Sequence, residues 1–82
     1  MADKVVAIDN TPVLDLRGLR CPKPALRTKK HLAAMFSGDQ ISVVCTDELS
    51  VIDIPHLINT TGDELLSHQK GDGEFTFVIR KR

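Results

Sequence analysis

The sequence of 82 residues lacks tryptophan and tyrosine, and its aromatic residues are three phenylalanines. Proteins that bind single-stranded nucleic acid stack bases on several aromatic side chains, so we expect no such surface and no direct nucleic-acid binding. No apolar run approaches the ~20 residues of a membrane span. Residues 1–10 also lack the charged start and apolar stretch of a secretory signal. These absences favour a soluble protein with no membrane partner.

Cysteine is scarce: the sequence contains two, Cys21 and Cys45. With no export signal, we expect a cytoplasmic protein whose thiols stay reduced. The cysteines do not form a C-x-x-C pair, which argues against thioredoxin-type dithiol chemistry. The three histidines do not fall at metal-ligand spacing with either cysteine, so we expect no metal site.

Charge is balanced in total but not along the chain. The 11 basic residues match the 11 acidic ones. Residues 16–38, however, contain no acidic side chain, and residues 39–74 contain a single basic one, Lys70. The basic residues of the first segment are Arg17, Arg20, Lys23, Arg27, Lys29 and Lys30. This division favours a molecule with one positive face, although ordinary solvated surfaces would give the same pattern.

Hydrophobic periodicity predicts four strands and two helices in the order βαβαββ. We expect residues 1–10 to form a flexible lead-in and residues 11–82 a single domain. The strands are predicted at residues 13–16, 41–45, 65–70 and 75–80. The first two strands flank a helix and should be parallel with a right-handed crossover. The expected fold is an α/β two-layer sandwich, a four-stranded mixed sheet with two helices on one face.

The first helix is predicted to begin at Pro22, because Pro22 and Pro24 are tolerated only in a first turn. Cys21 then lies at or beside the N-cap. The apolar stripe of this helix continues to Phe36, and Gly38 is expected to end it.

The second helix is predicted to begin with Asp53 as its N-cap and Pro55 in its first turn, and to close at Gly62. A turn at residues 71–73 then joins the last two strands as a hairpin.

Cys21 is the candidate reactive residue. A sulfur at a helix start faces unpaired amides and the positive end of the helix dipole. Pro22 and Pro24 lack an N–H, so the amide of Lys23 is the main donor left in the first turn. The side chains of Lys23 and Arg20 add positive charge nearby. These features predict a thiol pKa lowered toward ~7, which suits a nucleophile. The alternative reading is a structural cysteine that happens to precede a helix.

Cys45 is expected to behave differently. It alternates with Ile41 and Val43 on a strand face that points into the core, so packing as a small hydrophobe is the favoured interpretation. The competing hypothesis is that Cys45 attacks a Cys21 persulfide to form a disulfide.

Several motifs resemble the TusA/SirA family of sulfur-carrier proteins. The matching segments are Leu14-Asp15, Leu19-Arg20-Cys21-Pro22-Lys23-Pro24, Lys29-Lys30, Asp47, Asp53-Ile54-Pro55 and Val78-Ile79-Arg80-Lys81. The resemblance runs from about residue 13 to the C-terminus, and the family fold is also a βαβαββ sandwich.

The resemblance implies that Cys21 accepts sulfane sulfur as a persulfide from a cysteine desulfurase or rhodanese-like donor. Cys21 would then pass it to an acceptor protein of a sulfur relay, in tRNA 2-thiouridine synthesis or sulfur oxidation. The chain would act as a covalent carrier, with no cofactor, rather than as a stand-alone enzyme. We assign support of the thiolate to Arg20, Pro22, Lys23 and Pro24. We assign partner binding to Arg27, Lys29, Lys30 and Asp47.

A second hypothesis, from another functional class, remains open. The chain could be a binding or redox-regulatory module that docks its basic helix on RNA or on an acidic protein. In that case Cys21 carries no sulfur.

Overall fold

A computed structural model describes residues 12–82 and shows the predicted order of elements. The elements are β1 (Val13–Leu16), α1 (Lys23–Ala33), β2 (Gln40–Cys45), α2 (Ser50–Thr61), β3 (Glu64–Gly71) and β4 (Glu74–Arg80). The prediction of a lead-in at residues 1–10 lies outside the described residues.

The four strands form one mixed sheet in the order β1-β2-β4-β3. β1 pairs with β2 in parallel, with Leu16 opposite Cys45. β4 pairs antiparallel with both β2 and β3. Asp72 and Gly73 turn the β3–β4 hairpin with φ values of 51° and 77°, as expected of a two-residue turn that needs positive φ at both positions. The one parallel pair and the two antiparallel pairs confirm the predicted mixed sheet.

The core lies between the sheet and the two helices. Alternate residues of the strands and one face of each helix supply it: Leu16, Leu32, Ile41, Val43, Cys45, Ile54, Ile58, Phe75, Phe77 and Ile79. The smallest dimension of the described part of the chain is 18 Å, which fits two packed layers about 10 Å apart. Both helices thus cover the same face of the sheet, as the sequence predicted.

The predicted C-terminus of α1 is wrong. The helix ends at Ala33, and the Ala34 amide turns back to the carbonyls of His31 and Leu32. Phe36 lies beyond the helix and is 79% exposed, so it does not continue the apolar stripe. Gly38 belongs to the connection to β2, where its amide donates to the Lys81 carbonyl at 2.8 Å.

The predicted start of α2 is also wrong, because the helix begins at Ser50 and holds Pro55 in its interior. The reason lies in Asp47. Its side chain accepts from the Leu49 amide at 3.1 Å, and its carbonyl accepts from the Ser50 amide at 3.0 Å. This turn starts the helix one turn before Asp53, while Gly62 closes it with a φ of 83°, as predicted.

Candidate functional site

Two loops meet at one edge of the sheet and position Cys21. Because β1 and β2 are parallel, the loops that follow them emerge at the same edge. The Gly18 amide donates to the Thr46 hydroxyl at 2.8 Å, which ties the loops together. The Cys21 amide donates to the Asp47 carboxylate, which fixes the backbone immediately before α1. The Cys21–Pro22 peptide is cis, and Cys21 is exposed.

The thiol of Cys21 contacts a carboxylate from the second helix. Its Sγ donates to Oδ2 of Asp53 at 2.9 Å. This hydrogen bond raises the pKa of Cys21 above its ordinary value, with further contributions from desolvation and from the negative charges of Asp53 and Asp47. The expectation of a lowered pKa is therefore wrong. At neutral pH the resting site holds a thiol rather than a thiolate.

The features expected to stabilise a thiolate are engaged elsewhere. The Lys23 amide, predicted to face the sulfur, donates to the Arg20 carbonyl at 2.8 Å. Pro22 occupies the N-cap position, and Pro24 is buried on the core face of α1. The side chains of Arg20 and Lys23 are exposed, and the charge of Arg20 acts on Asp47. Sequence adjacency thus placed cations near Cys21 without placing them against its sulfur.

Asp47 organises the backbone of the site. One carboxylate oxygen accepts from the Cys21 amide and the other from the Leu49 amide. These two hydrogen bonds, with a smaller contribution from Arg20, lower the pKa of Asp47. The side chain therefore joins the loop before α1 to the start of α2. Its assigned role in partner binding stays a prediction.

The basic residues of α1 form an exposed cationic stripe, which we define as Lys23, Arg27 and Lys30. Their spacing of four and three residues places them on one side of the helix. The core face of α1 consists of Pro24, Thr28 and Leu32. At 3.6 residues per turn, Lys29 lies on a third side, away from the stripe. The stripe starts two residues after Cys21.

Cys45 lies on the core face of β2 with none of its surface exposed. Burial raises the pKa of its thiol above the ordinary value, while a hydrogen bond with Ser50 opposes this effect. Its predicted burial is confirmed, and both cysteines are free.

Within residues 12–82, no three His, Cys, Asp or Glu side chains are grouped so that they could hold a metal ion. None of the helices described there is long and apolar enough to cross a membrane.

Asp53 is the site residue that sequence reasoning missed. Its position before Ile54-Pro55 predicts a helix cap, and a cap role is sufficient to explain an aspartate there. The available signal was the Asp-Ile-Pro segment among the motifs that resemble a known family. Periodicity alone could not show that this carboxylate reaches a sulfur 32 residues earlier in the chain.

Comparison with known proteins identifies relatives over most of the chain. The family described as "Sulfurtransferase TusA" matches residues 13–81. The chain is 46% identical over 68 residues to a sulfur carrier protein TusA of Allochromatium vinosum, covering 83% of this chain and 90% of that protein. It is 40% identical over 76 residues to a sulfur carrier protein TusA of Pseudomonas putida, covering 90% and 95%.

A solved structure shares the fold. The SirA-like protein of Desulfitobacterium hafniense superposes with a TM-score of 0.74 at 24% identity, over 85% of this chain and 96% of that one. At this identity the solved structure shows a shared fold only. Family membership is shown by the family match and by the curated relatives. The chain belongs to the TusA family of sulfur-carrier proteins.

Proposed function

We propose that Cys21 accepts sulfane sulfur as a persulfide from a cysteine desulfurase or a rhodanese-like protein and passes it to a thiol of an acceptor protein. The observation that carries this proposal is an exposed thiol at the start of α1, held by hydrogen bonds from both its backbone and its sulfur. An exposed sulfur can reach a thiol on another protein without any opening of the fold.

The surroundings of Cys21 support transfer between proteins rather than turnover of a small substrate. The depression between the two loops that follow β1 and β2 is lined by residues 18–20 and 46–49, and Cys21 follows these residues in the chain without lining it. The exposed thiol gives the access that a carrier needs both to receive sulfur and to pass it on. The cationic stripe beside the thiol gives an acidic partner surface a place to dock.

The sulfur would enter tRNA 2-thiouridine synthesis or sulfur oxidation in the cytoplasm. Both routes use the same two steps at Cys21, and they differ in the acceptor protein. The carrier role therefore does not depend on the choice between them.

Intact-mass spectrometry tests the proposal. The protein is incubated with a rhodanese and thiosulfate, or with a cysteine desulfurase and cysteine. A carrier gains about 32 Da, the mass of one sulfur atom in a persulfide. Cys21→Ser is the matched control and should gain none while keeping its fold. A binding or redox-regulatory module would show no gain in the unsubstituted chain.

A further inference from the structure

The contact between Cys21 and Asp53 suggests a proton path for sulfur transfer. We propose that Asp53 accepts the proton of the Cys21 thiol as the sulfur is taken up and returns it to the leaving thiolate of the donor. This inference rests on the proposed carrier function and names a second residue that takes part in it.

The geometry of the pair fits a proton acceptor. The distance from Sγ to Oδ2 is 2.9 Å, within the reach of about 2.6–3.2 Å expected of a general base. Asp53 lies in the first turn of α2, where its amide donates to the Leu49 carbonyl at 2.9 Å. The next residue, Ile54, is fully buried in the core. The carboxylate is therefore held in place by a packed helix.

The charged side chains of the segments around Cys21 come from three parts of the chain. Asp53 belongs to α2, Asp47 to the loop after β2, and Arg20 and Lys23 to the segment that begins α1. The two carboxylates disfavour a free thiolate, and the two cations do not offset them. Both oxygens of Asp47 already accept backbone amides. Asp53 is thus the carboxylate placed to take the proton from sulfur.

The proposed step conserves atoms and electrons. The donor is a persulfide, R–S–SH. As the Cys21 proton moves to Asp53, Sγ forms a bond to the outer sulfur of the donor, and the bond between the two donor sulfurs breaks. The leaving R–S⁻ takes the proton from Asp53, which gives Cys21–S–SH and R–SH. Because carboxylates are weaker bases than thiolates, the proton moves together with formation of the sulfur–sulfur bond.

Two reactions of the same thiol separate this role from a structural one. Iodoacetamide alkylation needs only a thiolate, whereas sulfur uptake also needs the proton delivered to a leaving group. Asp53→Asn removes a negative charge beside the sulfur, so alkylation of Cys21 at pH 7 should become several-fold faster. Uptake from glutathione persulfide should become slower, by about 100-fold if the proton transfer is worth the usual contribution. Both rates can be read by intact mass.

Two further variants sharpen the comparison. Glu48→Gln removes a neighbouring exposed carboxyl and should leave both rates near those of the unsubstituted chain. Asp53→Glu keeps the carboxylate and should recover part of the uptake lost in Asp53→Asn. Thermal melting of each variant shows whether the fold is kept.

The outcomes distinguish the proton role from the carrier function. Opposite changes in the two rates support the proton role. An Asp53→Asn variant in which both rates rise, both fall or neither changes would overturn it, as would an Asp53→Glu variant no better than Asp53→Asn. If the unsubstituted Cys21 itself gains no sulfur from any persulfide donor, the carrier function fails as well.

Discussion

The chemistry of Cys21 is determined by residues that are distant in sequence. Arg20 and Lys23 flank it along the chain, yet Asp53 and Asp47 set the direction of its pKa shift. A raised pKa keeps the resting thiol protonated and slows its reaction with adventitious electrophiles. A carrier that must deliver sulfur to one partner benefits from such selectivity, because the thiol then reacts mainly where a docked partner supplies the sulfur.

Alkylation should separate the two thiols. Cys21 is exposed but protonated at neutral pH, so its alkylation by iodoacetamide should be slower at pH 7 than that of an unfolded cysteine. Its rate should keep rising above about pH 8.5, the ordinary thiol pKa, where the rate of an unfolded cysteine levels off. Cys45 is buried and should react only on unfolding. Cys21→Ser isolates the signal of Cys45 as a control, and equal labelling of both thiols in the native chain would contradict the assignment.

The lowered pKa of Asp47 predicts a pH dependence of stability. A group whose pKa is depressed by folding stabilises the protein above its unfolded pKa of about 3.9 and loses this effect as the pH falls through the folded value. The free energy of unfolding of the unsubstituted chain should therefore exceed that of Asp47→Asn by a constant amount above about pH 5. This difference should shrink at lower pH. Urea denaturation across that range measures it.

Glu48→Gln is the matched control, because it removes the exposed carboxyl next to Asp47 in the chain. It should not reproduce the pH-dependent loss. A gap between the unsubstituted chain and Asp47→Asn that stays the same down to acid pH would show that the carboxylate is not held by the two amides.

At the scale of elements, α1 presents the cationic stripe beside the thiol. Charge reversal in Arg27→Glu/Lys30→Glu should slow sulfur uptake from a protein donor, mainly by slowing association. Raising the salt concentration should slow the unsubstituted chain in the same way, because charge steering is screened over about 8–10 Å. Uptake from glutathione persulfide, a small donor, should change much less.

Lys81→Glu/Arg82→Glu is the control for this reversal. It changes the net charge equally at the end of the sheet opposite to Cys21, since β4 runs antiparallel to β2. Its uptake from the protein donor should stay close to that of the unsubstituted chain. Equal slowing by the two double variants would mean that net charge, rather than the stripe, governs docking.

The C-terminus of α2 depends on the left-handed conformation of Gly62. Its φ is 83°, and a Cβ added there would meet no atom within 4 Å. Gly62→Ala should thus cost about 1 kcal/mol of unfolding free energy through the backbone alone. Gly71→Ala, where the site is equally open and φ is not positive, should cost less. Equal losses in urea denaturation would contradict this explanation.

The order of elements and the buried faces could be predicted from sequence, but the C-terminus of α1 and the start of α2 could not. Alternation at Ile41, Val43 and Cys45 identified the core face of β2, because a strand has a fixed period of two. The start of α2 depends instead on Asp47, whose side chain accepts from the Leu49 amide at the start of that helix and from the Cys21 amide in the loop before α1. Such contacts form only when the loops have folded together, and the same holds for the contact between Asp53 and the Cys21 sulfur. Neither could therefore be predicted from the sequence.

At the scale of the whole fold, the described part of the chain is a thin slab of 31 × 30 × 18 Å with the Cys21 thiol at one edge of the sheet. Its core is filled by side chains from both layers, and the reactive sulfur lies outside it. Under the proposed function, sulfur is received and passed on by Cys21 at the surface, whereas Cys45 is buried in the core.

The most direct test of this account is a count of sulfane sulfur on the isolated carrier. The protein is loaded by a rhodanese and thiosulfate, separated from both, and treated with cyanide, which releases sulfane sulfur as thiocyanate. We predict one sulfur per chain for the unsubstituted protein and for Cys45→Ala, and none for Cys21→Ser. Thiocyanate released from loaded Cys21→Ser, or none from the unsubstituted chain, would contradict the claim that Cys21 carries the sulfur.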